Sequence, residues 1–382
     1  MVERIPLNNI KIILIANYSK DNQESMNRFA QVLYDKLKED CHEIEIWRPI
    51  YLFGFFIKSN HSNLGKYLAY IDKYVFSFVI FFIRAKLQLL IYPKIVFHIC
   101  DHSNAVYIKL FGVNRTLITC HDVLAIKGAF GHKDAYCQSS KFGKLLQKWI
   151  LFNLSRANHI ASVSINTRKQ LENLTNRQYL KVIHNGLNAP FRLLKSNEIA
   201  ELRHLVPKGK YLLHVGSNLY RKNRSLLIKL LNEFGADFDG VLCLAGKGPD
   251  EQLKAQIILA GLENKVLIIE KPSHEYLNLL YNCCEAFIFP SFSEGFGWPI
   301  IEAQACGAPV ICSNINPFIE ITHGSALLAN PHDVIEFKNQ LLQLDNISYR
   351  NKLIANGISN SRNYTIEKMV GAYKNYYEEI LN

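Results

Sequence analysis

The chain has 382 residues, 49% hydrophobic and 20% charged, a globular composition with no low-complexity tract and no fixed-period repeat. That length exceeds one ordinary core and suits two α/β domains of roughly 100–200 residues each. The net charge of +11 is lopsided, with all of the excess in residues 1–190; since no Cys/His finger, RNP-type strand or basic zipper accompanies it, nucleic acid is not an expected partner, and an anionic membrane surface or an anionic substrate is.

In chain order, the opening MVERIPLNNIKIILIANY has an acid early and no small-residue cleavage site, so it reads as the approach to a strand rather than a leader. Ile10–Asn17 is a buried strand. Glu24–Lys38 repeats apolar residues at Met26, Phe29, Ala30, Leu33 and Leu37, which is helical spacing. Val75–Ile83 is an unbroken apolar run, about half of the ~20 residues needed to span a bilayer. Two readings stand for it. One is a buried helix of the first domain. The other is a face that docks at a membrane or around a lipid acceptor, because Lys66, Lys73, Arg84 and Lys86 punctuate its aromatic and aliphatic surroundings.

Strands then follow at Ile95–Cys100, Thr116–Cys120, His159–Ser164 and Lys181–Asn185, most of them trailed by a helical pattern. That alternation implies a parallel sheet with crossover helices. The rhythm pauses at Gly186–Lys210, which holds Pro190, Pro207 and Gly209 and a short helix at Asn197–His204. A second series resumes with Tyr211–Gly216, Gly240–Gly246, Lys265–Glu270, Ala286–Pro290 and Ala308–Ser313, and the chain ends in an aromatic-rich helix, Tyr364–Leu381. The expected class is α/β, with two doubly wound Rossmann-like domains facing each other across a cleft. Ligands of such sheets sit at the carboxyl ends of the strands. Nine cysteines, an odd count without C-x-x-C spacing and mostly in apolar contexts, fit reduced thiols of a cytoplasmic protein better than disulfides or zinc.

The densest chemical signal is SFSEGFGWPIIEAQACGAPVICS, Ser291–Ser313. A strand ends at Pro290, and a loop with Gly295 and Gly297 lets backbone approach a ligand closely. Pro299 suits a first helical position and Gly307 a helix stop. The free N–H groups at that helix start favour an anion. Glu294 lies ahead of the anion site and Glu302 beside it, each able to accept hydroxyls, from a sugar on one side and a ribose on the other. His121 and Asp122 end a strand of the first domain, as do Asp101 and His102, so both pairs are candidates for the acceptor side.

The string Glu294, Gly295, Phe296, Gly297, Pro299, Glu302, Ala303, Gly307, Pro309 and Val310 resembles the signature of the family 4 glycosyltransferases of GT-B fold. HVGSNLYRKN (His214–Asn223) looks like the family's strand-Gly segment followed by Arg-Lys-Asn, and LAGKGPDEQL (Leu244–Leu253) like its A-G-x-G-P turn. Asn316–Ala329 resembles the segment that ends in Glu320 and Gly324. TCHDV, SRANHIASVS and VIHNGLN match weaker landmarks in the first half.

The resemblance implies a retaining transferase that takes a nucleotide-diphosphate-sugar and serves a glycan or lipid-linked acceptor, with no metal and no cofactor. Domains would span residues 1–187 (acceptor) and 188–363 (donor), and 364–382 would cross back to the first. Lys222 would contact the donor diphosphate with Arg221 beside it. His121 would lie near the transferred sugar, and Gly216, Ser217, Gly246, Gly248 and the backbone of Phe296 and Trp298 would line the donor. A cytoplasmic enzyme, peripheral on the inner membrane face, is the implied setting. The sequence departs from the pattern twice. Ser19–Phe29 has no Gly-Gly turn, and Ser217 and Asn218 stand where many relatives carry an Arg. A non-catalytic nucleotide-sugar-binding module and a GT-B epimerase or phosphorylase are the alternatives.

Overall fold

The computed structural model describes residues 10–21, 23–41, 43–53, 63–177, 180–235 and 237–382. The first nine residues, and the side chain of Lys66, lie outside that description. The chain forms two compact units. The first takes the chain up to Ala129, Ser139–Asn188 and Ile366–Asn382; the second takes Phe130–Gln138 and Ala189–Thr365.

The first unit is built on a six-stranded parallel sheet of β1 (Lys11–Ile15), β2 (Ile44–Trp47), β3 (Ile95–Ile99), β4 (Thr116–Cys120), β5 (His159–Ser162) and β6 (Lys181–Val182), in the order β2-β1-β3-β4-β5-β6. Helices cover both faces, so its central strands read as continuous apolar runs; every residue of β1, β3 and β4 is buried. Register pairs Lys11 with Ile95 and Ile15 with Ile99. Phe97 stacks on Phe111 with centroids 4.5 Å apart at the centre of the core. The final helix, Ile366–Leu381, belongs to this unit. Its Tyr377 hydroxyl bonds His98 Nδ1 at 2.7 Å, His98 Nε2 bonds Thr119 Oγ1 at 2.7 Å, and Tyr373 bonds the same hydroxyl at 2.9 Å.

The second unit repeats the scheme with β7 (Lys210–Gly216), β8 (Gly240–Gly246), β9 (Val266–Glu270), β10 (Ala286–Phe289), β11 (Val310–Ser313) and β12 (Leu327–Ala329), in the order β12-β11-β10-β7-β8-β9. Counted from β7 this is the 3-2-1-4-5-6 order of dinucleotide folds, with its reversal between β7 and β10. In the first sheet the reversal lies between β1 and β3. Those two points are where ligands of doubly wound sheets bind.

The apolar run is not a buried helix. Ser77–Ile91 buries only Ser77, Phe81 and Ala85, spaced one turn apart, and leaves Val79, Phe82, Ile83, Leu87, Leu90 and Ile91 exposed. One stripe meets the core, and no described element covers the remainder. β2 and β12 were not foreseen: IEIW alternates charge with bulk, and LLA is too short to register as a pattern.

Candidate functional site

The loops after β7 and β10 are laced together at the reversal of the second sheet. Tyr220–Lys222 is a single 3-10 turn closed by Asn223, whose left-handed φ of 54° starts the helix Arg224–Phe234. Asn223 Nδ2 donates to the Pro290 carbonyl at 3.0 Å and to that of Pro331 at 2.7 Å. The Phe292 amide donates to the Arg221 carbonyl at 2.8 Å, and the Arg221 guanidinium to the Ser293 carbonyl at 3.1 Å.

This lacing delivers two cations to one carboxylate. Arg221 NH1 lies 2.5 Å from Glu294 Oε2, and Lys222 Nζ lies 2.6 Å from Glu294 Oε1. Lys222 Nζ also sits 4.8 Å from the centre of the Phe289 ring, a cation–π contact. Burial alone would raise the Glu294 carboxyl, but Arg221 and Lys222 outweigh it and hold it at about 2. Lys222 moves the other way from what a private ion pair would do. Burial lowers its ammonium, and Glu294 only partly opposes this because Arg221 repels it. Two positive charges thus share the single Glu294 carboxylate, an arrangement that favours an added anion.

Glu294 is followed directly by Gly295–Gly297 and the helix Trp298–Ala305. Gly297 caps that helix at φ 123°, and Pro299 occupies its first turn. A Cβ at Gly297 would meet the Phe318 ring at 2.9 Å. As a helix start it carries the positive end of the helix dipole, which favours an anion; Pro299 has no N–H, and the Ile300 amide bonds the Gly297 carbonyl at 3.0 Å. Glu302 faces inward, buried, and accepts from the Tyr281 hydroxyl at 3.1 Å. Gly216 and Gly246, at the ends of β7 and β8, approach so closely that a Cβ on Gly246 would be driven into the Gly216 carbonyl oxygen. Ser217 continues from there, half-buried. Gly248 lies against the Glu270 carboxylate. The structure thus brings Arg221, Lys222 and Glu294 together, and a Cβ on Gly216 would meet the Lys222 stem at 3.7 Å; Glu302 is held separately by Tyr281.

In the first unit His121, Asp122, Asp101 and His102 form one electrostatic cluster after β3 and β4. His121 Nε2 donates to the Cys100 carbonyl at 2.9 Å, its ring lies edge-on to Phe29, and burial pushes its pKa down. The imidazole is therefore neutral at pH 7. Asp122 accepts from the Leu124 amide at 2.9 Å. Asp101 and His102 are buried rather than open to a ligand. Asp101 accepts from Asn17 Nδ2 and Ser103 Oγ, each at 2.6 Å, and sits 3.1 Å from His102 Nδ1. Burial opposes ionisation of Asp101, but His102 and Ser103 reverse it and hold the carboxyl below its usual range. Asn17 also accepts from Asn104 at 2.8 Å, so the ends of β1 and β3 are tied across the reversal of the first sheet.

Sequence reasoning missed three participants. Tyr281, on the helix His274–Cys283, has no local signal; only tertiary structure brings it to Glu302. Arg224 stood in view directly after Arg-Lys-Asn, and its guanidinium donates at 2.6 Å to both the Gly216 and the Lys247 carbonyls, fixing the ends of β7 and β8. Asn17 lay in a strand-end position that the topology makes central. A cavity of about 450 Å³ opens beside Tyr220, Arg224, Asp250, Phe292 and His332. It shares the Leu219–Tyr220 turn with this site but is not lined by Lys222, Glu294 or Glu302. Among the described residues no group of three or more His, Cys, Asp or Glu side chains is placed to hold a metal.

Residues 197–360 match the family described as "Glycosyl transferases group 1". The match covers 164 of the 382 residues and lies within the second unit. Among relatives, O-antigen chain mannosyltransferase RfbU of Salmonella typhimurium is 28% identical over 61% of this chain and 62% of its own length. O-antigen chain mannosyltransferase B of Escherichia coli is 32% identical over 43% of this chain and 45% of its own. The chain thus spans less than two thirds of these relatives. Among solved structures, sucrose-phosphate synthase of Thermosynechococcus elongatus superposes with a TM-score of 0.74 at 19% identity, covering 97% of this chain and 98% of that one. HepE of Anabaena, in complex with UDP, superposes at 0.71 and 16% identity, covering 97% and 100%. The chain has the GT-B fold.

Proposed function

We propose that the protein is a retaining glycosyltransferase that moves a hexose from a nucleotide-diphosphate-sugar to a glycan or lipid-linked acceptor in cell-surface polysaccharide assembly. The observation that carries this reading is the Arg221–Glu294–Lys222 group at the topological reversal, four residues ahead of a helix N-terminus. A glycosidic C–O bond to phosphate breaks with negative charge building on the departing diphosphate. Fixed cations and backbone donors stabilise that charge most at the transition state. The departing phosphate oxygen then takes the acceptor proton on the same face, so configuration is kept and no metal is required. Glu294 engages a hydroxyl of the transferred sugar, and Glu302, oriented by Tyr281, the ribose. The mannosyltransferase relatives make nucleotide-diphosphate-mannose the first donor to try.

A thermal-shift panel of nucleotide sugars identifies the donor, since a ligand at about 100 times its Kd adds ~2.7 kcal/mol of stability. Incubation of the stabilising donor with lipid-linked and free glycans, read by mass and by the anomeric coupling of the product, then tests transfer and retention. A stabilising donor that is neither transferred nor hydrolysed would support the binding-module alternative. An isomerised donor would support the epimerase, and an inverted product would refute the same-face mechanism.

A further inference from the structure

Leu68–Ile91 forms 24 helical residues, whose most apolar 18-residue stretch has a mean hydropathy of 1.8 and is only 17% buried. By length and composition it is able to cross a bilayer, but its fastening speaks against crossing. Phe81 packs on Trp47 and Tyr107, the buried Asp72 accepts from the Tyr18 hydroxyl at 3.0 Å, and the Arg84 guanidinium lies 4.0 Å from the Trp47 ring centre while pairing with Glu45. Spanning would tear these from the core.

The outward stripe is Val75, Val79, Phe82, Ile83, Leu87 and Leu90, recurring at three- and four-residue steps on one side, with Leu90 84% exposed. A second helix, Lys141–Leu154, packs against the turns that precede this stripe. Tyr70 meets Phe142 at 4.9 Å, and Tyr74 meets Trp149 at 5.5 Å. It too is apolar where it faces solvent, at Phe142, Leu145 and Phe152, and it interleaves these with exposed Lys141, Lys144 and Lys148. Lys109 and Arg156 lie over the Phe152 ring. The one carboxylate on either helix is Asp72, which is buried, and no Asp or Glu occurs in residues 73–100 or 135–171. Two helices whose exposed faces carry bulky apolar side chains and cations but no acids match one kind of surface: an anionic bilayer, whose acyl boundary takes the apolar side chains while its headgroups take the lysines.

We infer that the faces of Val75–Ile91 and Lys141–Leu154 form a docking surface by which the first unit lies on an anionic membrane without spanning it. The full chain is sedimented with phosphatidylcholine vesicles with and without phosphatidylglycerol, at low and high salt. Docking predicts binding only to the anionic vesicles, weakened at high salt because exposed charges are screened. Val79→Ser, Phe82→Ser, Leu87→Ser and Leu90→Ser together should abolish sedimentation. Lys141→Gln, Lys144→Gln and Lys148→Gln together should weaken it about a hundredfold, roughly fivefold per lysine near a charged surface. All of these positions are exposed, and unchanged melting temperatures confirm that each variant folds. No binding to anionic vesicles at low salt overturns the inference, as does binding that both variants retain. Concentration-dependent self-association abolished by the serine variant, without vesicle binding, also overturns it by assigning the face to a second copy. Vesicle binding needs no donor turnover, so its failure leaves the transferase reading untouched.

Discussion

Replacing Glu294 by Gln separates a structural ion pair from an anion trap. The carboxyl stands at about 2 in the folded protein against a usual 4.5, a difference worth about 3 kcal/mol of stability at neutral pH. The side chain is 9% exposed, so little of that is lost to solvent screening. Because the folded value lies below the unfolded one, this stability is present above pH 4.5 and disappears as pH falls toward 2. Glu294→Gln should therefore melt roughly 6–12 °C lower at pH 7, and the gap to wild type should close in acid.

The decisive measurement is nucleotide binding. In the variant, Arg221 and Lys222 lose their shared counter-charge, so a nucleoside diphosphate becomes their best partner. Its affinity should rise roughly tenfold or more, the scale of one added charge-assisted contact of ~1.5–3 kcal/mol, and its thermal rescue should exceed that of wild type. Sugar transfer should nonetheless collapse. Calorimetric titration with nucleoside diphosphate decides the matter: weaker or absent binding by a folded Glu294→Gln protein would mean that the two cations do not receive the phosphates.

Lys222→Ala should cut turnover by roughly two to three orders of magnitude, the scale for losing one transition-state charge contact, while melting changes less than in Glu294→Gln because Arg221 still neutralises the carboxylate; unchanged turnover would remove its role. Glu302→Ala should chiefly weaken nucleotide affinity, by roughly tenfold, and unaltered donor affinity would rule out the ribose contact. Gly246→Ala should lose donor binding and about 2 kcal/mol or more of stability, because neither Cβ nor the Gly216 carbonyl can yield and φ is 120°; a wild-type melting curve would contradict the close approach. His98 and His214 are both held at about 3 by burial. They favour folding above pH 6.5 and cost about 2 kcal/mol each by pH 5, when the unfolded imidazoles have gained protons. His98→Gln should flatten the dependence of first-unit stability on pH between 6.5 and 5, and an unchanged slope would refute the assignment.

Much of this was legible in residue order because it is local. Glycines, a proline and two acids at fixed spacing define a strand–loop–helix passage, and Arg-Lys-Asn after a strand-ending glycine defines another. Strand–helix alternation placed ten of the strands because buried parallel strands are continuous apolar runs. What was not legible is what only packing decides. Nothing in EYLNLLYNC announces that its second tyrosine, Tyr281, will orient Glu302. Val75–Ile83 reads as core by composition, yet which of its sides meets the sheet depends on neighbours, and in the helix Ser77–Ile91 it is Ser77, Phe81 and Ala85 that turn fully inward. Asp101 and His102 stand at a strand end, as ligand-binding residues do, but Asn17, distant in sequence, claims the carboxylate.

The two reversal points, alike in topology, are wired oppositely. Between β1 and β3 the polar groups satisfy one another: Asn17, Asp101, Ser103 and Asn104 exchange hydrogen bonds, and the Asp101 charge is matched by His102. Between β7 and β10 the wiring is left positive, with Arg221 and Lys222 on a single carboxylate and Arg224 spent on backbone carbonyls. A self-satisfied edge gives an anion nothing to neutralise, and bringing one there would cost desolvation without return. An edge carrying two cations on one carboxylate beside a helix start favours an added anion. The two edges therefore differ in charge balance: the first holds its polar groups in mutual hydrogen bonds, and the second gathers Arg221 and Lys222 on Glu294.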